Sequence, residues 1–427
     1  MKIHLIVICV GILAIAACSR QKKQSLESID NEDAIEKYAG DTLSNQKGIR
    51  YTQSRAIDRN DPPIVLDISG KCEIKDLNLS DYYSKVKYVK LKHPEAESGK
   101  QFFIKEGMIF ISNVFTSINL DLSVKITDNY ILVGDALYGL HCYDKLGNFV
   151  YTITSMENPP KYHKTGMRID LLDVKNFMSN YYILGDICMF TTVDKGKTSL
   201  NFHNLSSRKT EYKKMYAVHK ALPLNAENKN FIDYCYNVED KAHKPFIYSF
   251  NSNGDTLCQF INYNDIPVIK TTYHNPGPGN IYYYDNQLSI RQVGNDTLFR
   301  FVSEKRLNPA YIIHAGKYKA NMENITKEKN GNKRLPGHLL ETKDFLLFSY
   351  DEYSSDDYKS NQPHCCFLDK STQRFYQTPD KKKTDIIMIS NSLRDGIPFL
   401  LDKTEFNGKS IYTYYSRNML KAMIEDP

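Results

Sequence analysis

The chain has no tryptophan among its 427 residues and no C-x-x-C pair among its nine cysteines. The missing tryptophan removes the broadest of the aromatic platforms that carbohydrate sites use, although the 31 tyrosines offer a substitute. The missing C-x-x-C removes the commonest spacing of zinc and redox cysteines. A serine-hydrolase elbow, a zinc-protease helix, a P-loop and a dinucleotide fingerprint are absent as well, so no motif assigns a reaction. Charge is also unremarkable in its distribution. The net +6 is scattered, apart from short runs such as Lys381-Lys382-Lys383, and a dispersed excess of this size does not indicate nucleic acid.

The start of the chain, by contrast, is specific. Lys2 precedes an apolar run from Leu5 to Ala17 that closes on Ile15-Ala16-Ala17-Cys18. Those 13 residues would reach only ~20 Å as a helix, short of a ~30 Å hydrocarbon core. A basic start, a short apolar stretch and small residues before a cut describe a secretory signal over 1–17. The junction further resembles the lipobox of bacterial lipoproteins, which implies lipid attachment at Cys18. Seven cysteines then remain beyond Cys9 and Cys18, an odd number that cannot all pair internally. Most sit in apolar strand-like runs and read as buried thiols. His364-Cys365-Cys366 suggests a metal cluster at first, but adjacent strand residues face opposite ways. No metal and no cofactor is expected.

Residues 18–61 are polar, with little apolar pattern, and read as a lipid anchor followed by a flexible tether. From 62 to 427 the chain repeats. Asn129-Tyr130-Ile131-Leu132-Val133-Gly134-Asp135 recurs as Asn180-Tyr181-Tyr182-Ile183-Leu184-Gly185-Asp186, 51 residues on (186 − 135). Lys343 to Asp351 and Ile397 to Asp402 have the same form, again 51 apart (402 − 351). The gap of 165 between the pairs (351 − 186) leaves room for two degenerate copies, near Phe231 and Leu288. Asx-to-Gly turns such as Asp144-Lys145-Leu146-Gly147 join strands within the units. Strand–turn units with a period near 50 predict an all-β, six-bladed β-propeller of four-stranded antiparallel blades. Closure of the ring is expected to pair Ile64–Ile68 or Lys85–Leu91 with the last blade near Ser410–Tyr415.

Strand–turn units behind a lipobox look like the six-bladed β-propeller lipoproteins of anaerobic gut Gram-negative bacteria. The likeness rests on Tyr284 to Leu288, Asn295 to Phe299 and Asn308 to Ile313, with Val86 to Leu91 and Asp395 to Phe399 as weaker echoes. It implies a fold and an envelope location but almost no chemistry. One departure is plain: where the family usually has Gly-Pro-Gly-Glu-Tyr, this chain reads Asn158-Pro159-Pro160-Lys161-Tyr162. Surface lipoproteins of that lineage resemble one another in acidic residues after the cysteine. Here Ser19-Arg20-Gln21-Lys22-Lys23 is basic, which implies an outer-membrane protein facing the periplasm.

The repeat also nominates a site. Asp135, Asp186, Asp351 and Asp402 close equivalent apolar strands, so a ring would carry four carboxylates around one mouth. They would either bind a cationic ligand or each cap its own turn. Two functions stay open. One is a membrane-anchored scaffold for a small-molecule, glycan or protein ligand; the other is a hydrolase or lyase acting on an envelope or dietary polymer through those acids.

Overall fold

The computed structural model describes residues 7–11, 62–92, 110–111, 123–135, 139–155, 168–169, 177–194, 197–214, 221–225, 230–234, 245–261, 278–292, 295–319, 333–353, 362–379, 388–389, 397, 399–401 and 404–415. Cys18, the tether, Cys235, the Asn158–Tyr162 loop and Asp402 lie outside them.

Among the described residues, strands dominate and helical structure is confined to short 3-10 turns such as Leu79–Asp81 and Gly316–Tyr318. Five sheets are consecutive antiparallel meanders of four strands at their core. Sheet one comprises Ser123–Ile126, Tyr130–Asp135, Gly139–Asp144 and Phe149–Thr154. Sheet two comprises Phe177–Leu184, Ile187–Asp194, Lys197–Asn204 and Lys209–Lys214. Sheet three comprises Leu222–Asn225, Asn230–Tyr234, Pro245–Phe250 and Thr256–Ile261. Sheet four runs through Pro278–Tyr284, Gln287–Gln292, Thr297–Ser303 and Arg306–His314, and takes Ile64–Asp67 as a parallel fifth strand. Sheet five follows the same plan. Its strands Lys333–Glu341, Phe345–Tyr353, Gln362–Asp369 and Arg374–Gln377 are joined by Glu73–Ile74, also parallel.

Sheet six is assembled from both ends of the chain: Thr404–Phe406, Ile411–Tyr415, Val7–Gly11 and Val86–Lys90. Val7–Gly11 pairs antiparallel with Ile411–Tyr415 on one side and with Val86–Lys90 on the other. An N-terminal strand at Val86–Lys90 thus joins the last sheet, while Ile64–Asp67 goes to sheet four.

Each sheet packs face to face on the next, because strands buried on both faces need a neighbour on each. Leu132 and Cys142 of sheet one meet Met178 and Cys188 of sheet two. Met189 of sheet two meets Phe231 and Phe250 of sheet three. Ile232 and Phe260 of sheet three meet Leu288 and Phe301 of sheet four. Leu298 and Ile313 of sheet four meet Phe348 and Cys366 of sheet five. Phe345 and Phe367 of sheet five meet Ile411 and Tyr415 of sheet six. Tyr412 of sheet six returns to Val124 and Ile131 of sheet one. The return contact is reinforced by Lys125 on Glu405 at 2.6 Å and by the Asn407 amide on the Ile126 carbonyl at 3.1 Å.

The Asx turns form as the sequence predicts. Asp144 Oδ1 accepts from the Leu146 and Asn148 backbone N–H groups at 2.9 and 2.8 Å, with Gly147 at φ 84°. Asn251 repeats the arrangement toward Asn253 and Asp255.

The repeat phase differs from the sequence reading. Second strands begin at residues 130, 187, 230, 287, 345 and 411, so the steps are 57, 43, 57, 58 and 66 residues, not 51. The motif ending in Asp135 is a second strand, whereas the one ending before Asp186 is the first strand of its sheet. The two Gly-Asp pairs therefore do different things. A side chain at Gly134 would collide with the Tyr181 ring, its Cβ lying 2.3 Å from a ring carbon. Gly185 has open space around it and is required by its φ of 57°. First and second strands are both largely buried, so both read as an apolar run ending in a turn.

Candidate functional site

The consequence for the four aspartates is direct. Asp186 sits half-buried in the hairpin between first and second strands and accepts the Ser206 backbone N–H at 3.2 Å. Asp135 ends a second strand and Asp351 lies within one, near the opposite end of the meander. The structure does not bring Asp186 to the same sheet end as Asp135 and Asp351. Asp351 is set among other titratable side chains, His338 and His364, while Asp186 acts on the His203 imidazole.

The first strands of neighbouring sheets approach one another: Pro278–Tyr284 and Thr404–Phe406 both lie beside Lys333–Glu341, which is thus the inner edge of sheet five. That inner strand is irregular. Its register against Phe345–Tyr353 shifts between Pro336 and Leu339, a bulge that bends the strand and re-aims a side chain. Three groups hold the bulge. Arg291, 1% exposed, reaches across from sheet four and donates to the carbonyls of Pro336 and Gly337 at 2.9 and 2.8 Å. It also donates to Asn280 Oδ1 at 2.8 Å. Burial pushes this guanidinium down to about 10, more than the opposing charge of Asp296 restores. From the next strand, Ser349 Oγ accepts the His338 backbone N–H at 2.9 Å. Gly337 has to lack a side chain here, because a Cβ would lie 2.5 Å from Ser349 Oγ.

The bulge leaves His338 exposed at the inner edge. Asp351, two residues beyond Ser349, is half-buried. Burial raises its carboxyl above the usual range, and the nearby His338 and His364 imidazoles oppose that shift. On the other face of the sheet a second polar group forms. Arg334 Nε bonds Glu352 Oε2 at 3.0 Å, and its guanidinium lies over the rings of Tyr318 and Tyr350 at 4.6 and 5.5 Å. It donates to the Ile68 carbonyl as well. His364 stacks on Tyr350 at 4.8 Å and bonds Gln377 through Nδ1 at 3.3 Å. Asp351 and Glu352 are consecutive in the strand and take opposite faces, so the two carboxylates are not a facing acid pair. Among the described residues no three His, Cys, Asp or Glu side chains converge enough to hold a metal ion.

The opposite end of sheet five holds a buried ionic knot. Glu341 ends the inner strand with its side chain wholly buried. Its carboxylate accepts from Arg300 Nη2 at 2.5 Å, Lys370 Nζ at 2.8 Å, Tyr282 Oη at 2.7 Å and Tyr311 Oη at 2.8 Å. The Tyr284 ring carries Lys370 at 3.9 Å and Arg300 at 4.8 Å. Burial works to raise the Glu341 carboxyl, but the Lys370 and Arg300 charges outweigh it and hold the group below its usual value. Every oxygen of the carboxylate is engaged, so the knot ties sheet four to sheet five instead of presenting a vacant site. The sequence reading missed Arg291, His338 and Glu341. The bulge that gives two of them meaning has a faint signal in Pro336-Gly337 inside a strand.

The sequence profile of one family matches residues 46–426, most of the chain. The chain belongs to the family DUF4933, a domain of unknown function. No curated protein matches the sequence. Solved structures show looser likenesses to this DUF4933 chain. A protein of Bacteroides fragilis taken to be exported is 14% identical over 83% of this chain and 99% of its own, with a TM-score of 0.47. A protein of unknown function from Bacteroides thetaiotaomicron is 11% identical over 71% of each chain, with a TM-score of 0.32. BamB from Moraxella catarrhalis is 12% identical, covers 57% of this chain and 56% of its own, and gives a TM-score of 0.27. The all-β architecture of this DUF4933 member is therefore read from its own sheets.

Proposed function

We propose that this DUF4933 chain is a six-bladed β-propeller lipoprotein of the cell envelope that binds a polar ligand at the inner edge of its fifth blade. The observation that carries the reading is the bulge at Pro336–Leu339. It spends a buried arginine, a serine and a glycine on holding one exposed histidine beside a half-buried aspartate, and bulges of this kind commonly re-aim side chains at functional sites. The cyclic order of six packed sheets supports the blade count. With Asp351 and Glu352 on opposite faces, binding is favoured over hydrolysis. The ligand is a small molecule, a glycan or a protein segment offering both a donor for Asp351 and an acceptor for His338.

A thermal-shift screen of the purified chain tests the site. Ligands that raise its melting temperature should lose that effect in Asp351→Asn and in His338→Ala. In the absence of ligand, Asp351→Asn should melt at the wild-type temperature or above it. A carboxyl whose folded value is raised binds its proton more tightly when folded, so stability falls as pH rises through that value, and ionised Asp351 costs stability at neutral pH. Ligands that stabilise wild type and both variants equally would place binding elsewhere.

The anchor rests on Ile15-Ala16-Ala17-Cys18, and the periplasmic orientation on the basic residues that follow. Cleavage before Cys18 would take Val7–Gly11 out of sheet six, leaving Ile411–Tyr415 and Val86–Lys90 to pair directly or to accept another segment between them. Intact mass of the protein from its native membrane should show an acylated chain beginning at Cys18, and protease shaving of whole cells should leave it uncut. An unacylated chain that retains Met1 would refute the anchor and leave the first strand in place.

A further inference from the structure

Cys72 and Cys366 are 294 positions apart (366 − 72) and meet between sheets four and five. Cys366 projects into the core shared by those sheets, alongside Leu66 and Ile68. Cys72 follows in the segment that leaves sheet four at Asp67 and enters sheet five at Glu73. That crossing is pinned at both ends, by Ile68 N–H on the His314 carbonyl at 2.8 Å and by Lys75 N–H on the Gln377 carbonyl at 3.0 Å. Gln377 lies opposite both Cys366 and Ile74, which fixes the height of Cys72 against Cys366. The two thiols lie close enough to act on each other's protonation. The Cys72 thiol also donates to the Asp67 carbonyl at 3.6 Å.

We propose that Cys72 and Cys366 are a redox pair that closes to a disulfide by exchange with an external disulfide, with Cys72 as the attacking and Cys366 as the resolving thiol. The assignment follows from unequal access and environment. Cys72 is partly exposed, whereas Cys366 has no exposure. The neighbouring Cys366 thiol, helped by the Arg334 charge, holds the Cys72 thiol below its ordinary value; the same pairing, together with burial, pushes Cys366 well above its own. In the first step the Cys72 thiolate attacks one sulfur of the oxidant and expels its other sulfur as a thiolate. In the second, Cys366 gives up its proton to solvent or to that thiolate and attacks Cys72 Sγ, releasing the remaining half of the oxidant. The protein loses two hydrogens and the oxidant, a small or protein disulfide, leaves as two thiols. The bond would tie the N-terminal crossing segment to sheet five beside Arg334 and Tyr350.

The pair can be tested in vitro, independently of where the protein resides. The reduced full chain is incubated with oxidised glutathione, digested without reductant and mapped by mass spectrometry. The expected product is one peptide pair joined through Cys72 and Cys366. Cys366→Ser should accumulate glutathione on Cys72, and Cys72→Ser should form neither product. Closing so long a loop should raise the melting temperature of oxidised wild type by roughly 5–10 °C over the reduced form, a shift absent from both variants. Cys72 and Cys366 both remaining open to alkylation after denaturation, or a disulfide mapped to other cysteines, would overturn the proposal. So would a Cys366→Ser protein that folds and takes up no glutathione.

Discussion

Replacing Glu341 with alanine is expected to destabilise the fold by about 3–5 kcal/mol, because it strands Arg300 and Lys370 beside two buried tyrosine hydroxyls with no acceptor between them. Glu341→Gln should cost less but still substantially, since the amide retains one acceptor oxygen and loses the charge. The two substitutions also carry a pH signature. A carboxyl held below its usual value when folded contributes stability that is present above the unfolded value, near 4.5, and is lost as pH falls through the folded one. Urea titrations of wild type and Glu341→Gln from pH 7 to pH 3 should therefore converge as the solution becomes acid. A gap that is constant across that range would show that the carboxylate charge contributes nothing, and that the knot acts by packing alone.

The second large effect is expected at the C-terminus. Removing residues 408–427 deletes Ile411–Tyr415, the strand that holds sheet six together. Ile411, Tyr412 and Tyr415 are each no more than 2% exposed, and each belongs to a core shared with a neighbouring sheet. Their burial is worth roughly 1.5–3 kcal/mol apiece, and the net stability of a domain is only about 5–15 kcal/mol. The truncated chain also uncovers apolar faces of sheets five and one and leaves unpaired edges on the strands that remain of sheet six. It should fail to accumulate as soluble protein, with gel filtration showing aggregate or nothing. A soluble, cooperatively melting product would mean that the remaining five sheets close without the sixth.

The class of the fold was legible in short-range pattern. Apolar runs broken by Asp144 and Asn251 turns announce antiparallel strands, because an Asx side chain that bonds the backbone two and four residues on forms the same turn wherever it occurs. Of the two segments the sequence offered to the last sheet, Val86–Lys90 joins it, through Val7–Gly11, while Ile64–Asp67 joins sheet four. The phase of the repeat was not legible. Buried first and second strands present the same alternation to a reader of sequence, and only the pairing of Tyr130–Asp135 and Phe177–Leu184 with their neighbours reveals that Asp135 and Asp186 close different strands.

The sequence by itself determined strand content and turn chemistry, since each depends on residues within a few positions of one another. Cys365 and Cys366 were likewise separated by alternation alone, and their packing into different cores follows it. Tertiary structure decided everything that depends on sheets meeting. Arg291 acquires its role from the carbonyls of Pro336 and Gly337, 45 and 46 residues away. Glu341 draws its four partners from two sheets, and Cys72 meets Cys366 across most of the chain. No local pattern encodes these groupings, because a charged or polar side chain becomes buried and costly only when a second sheet closes over it and supplies its partners.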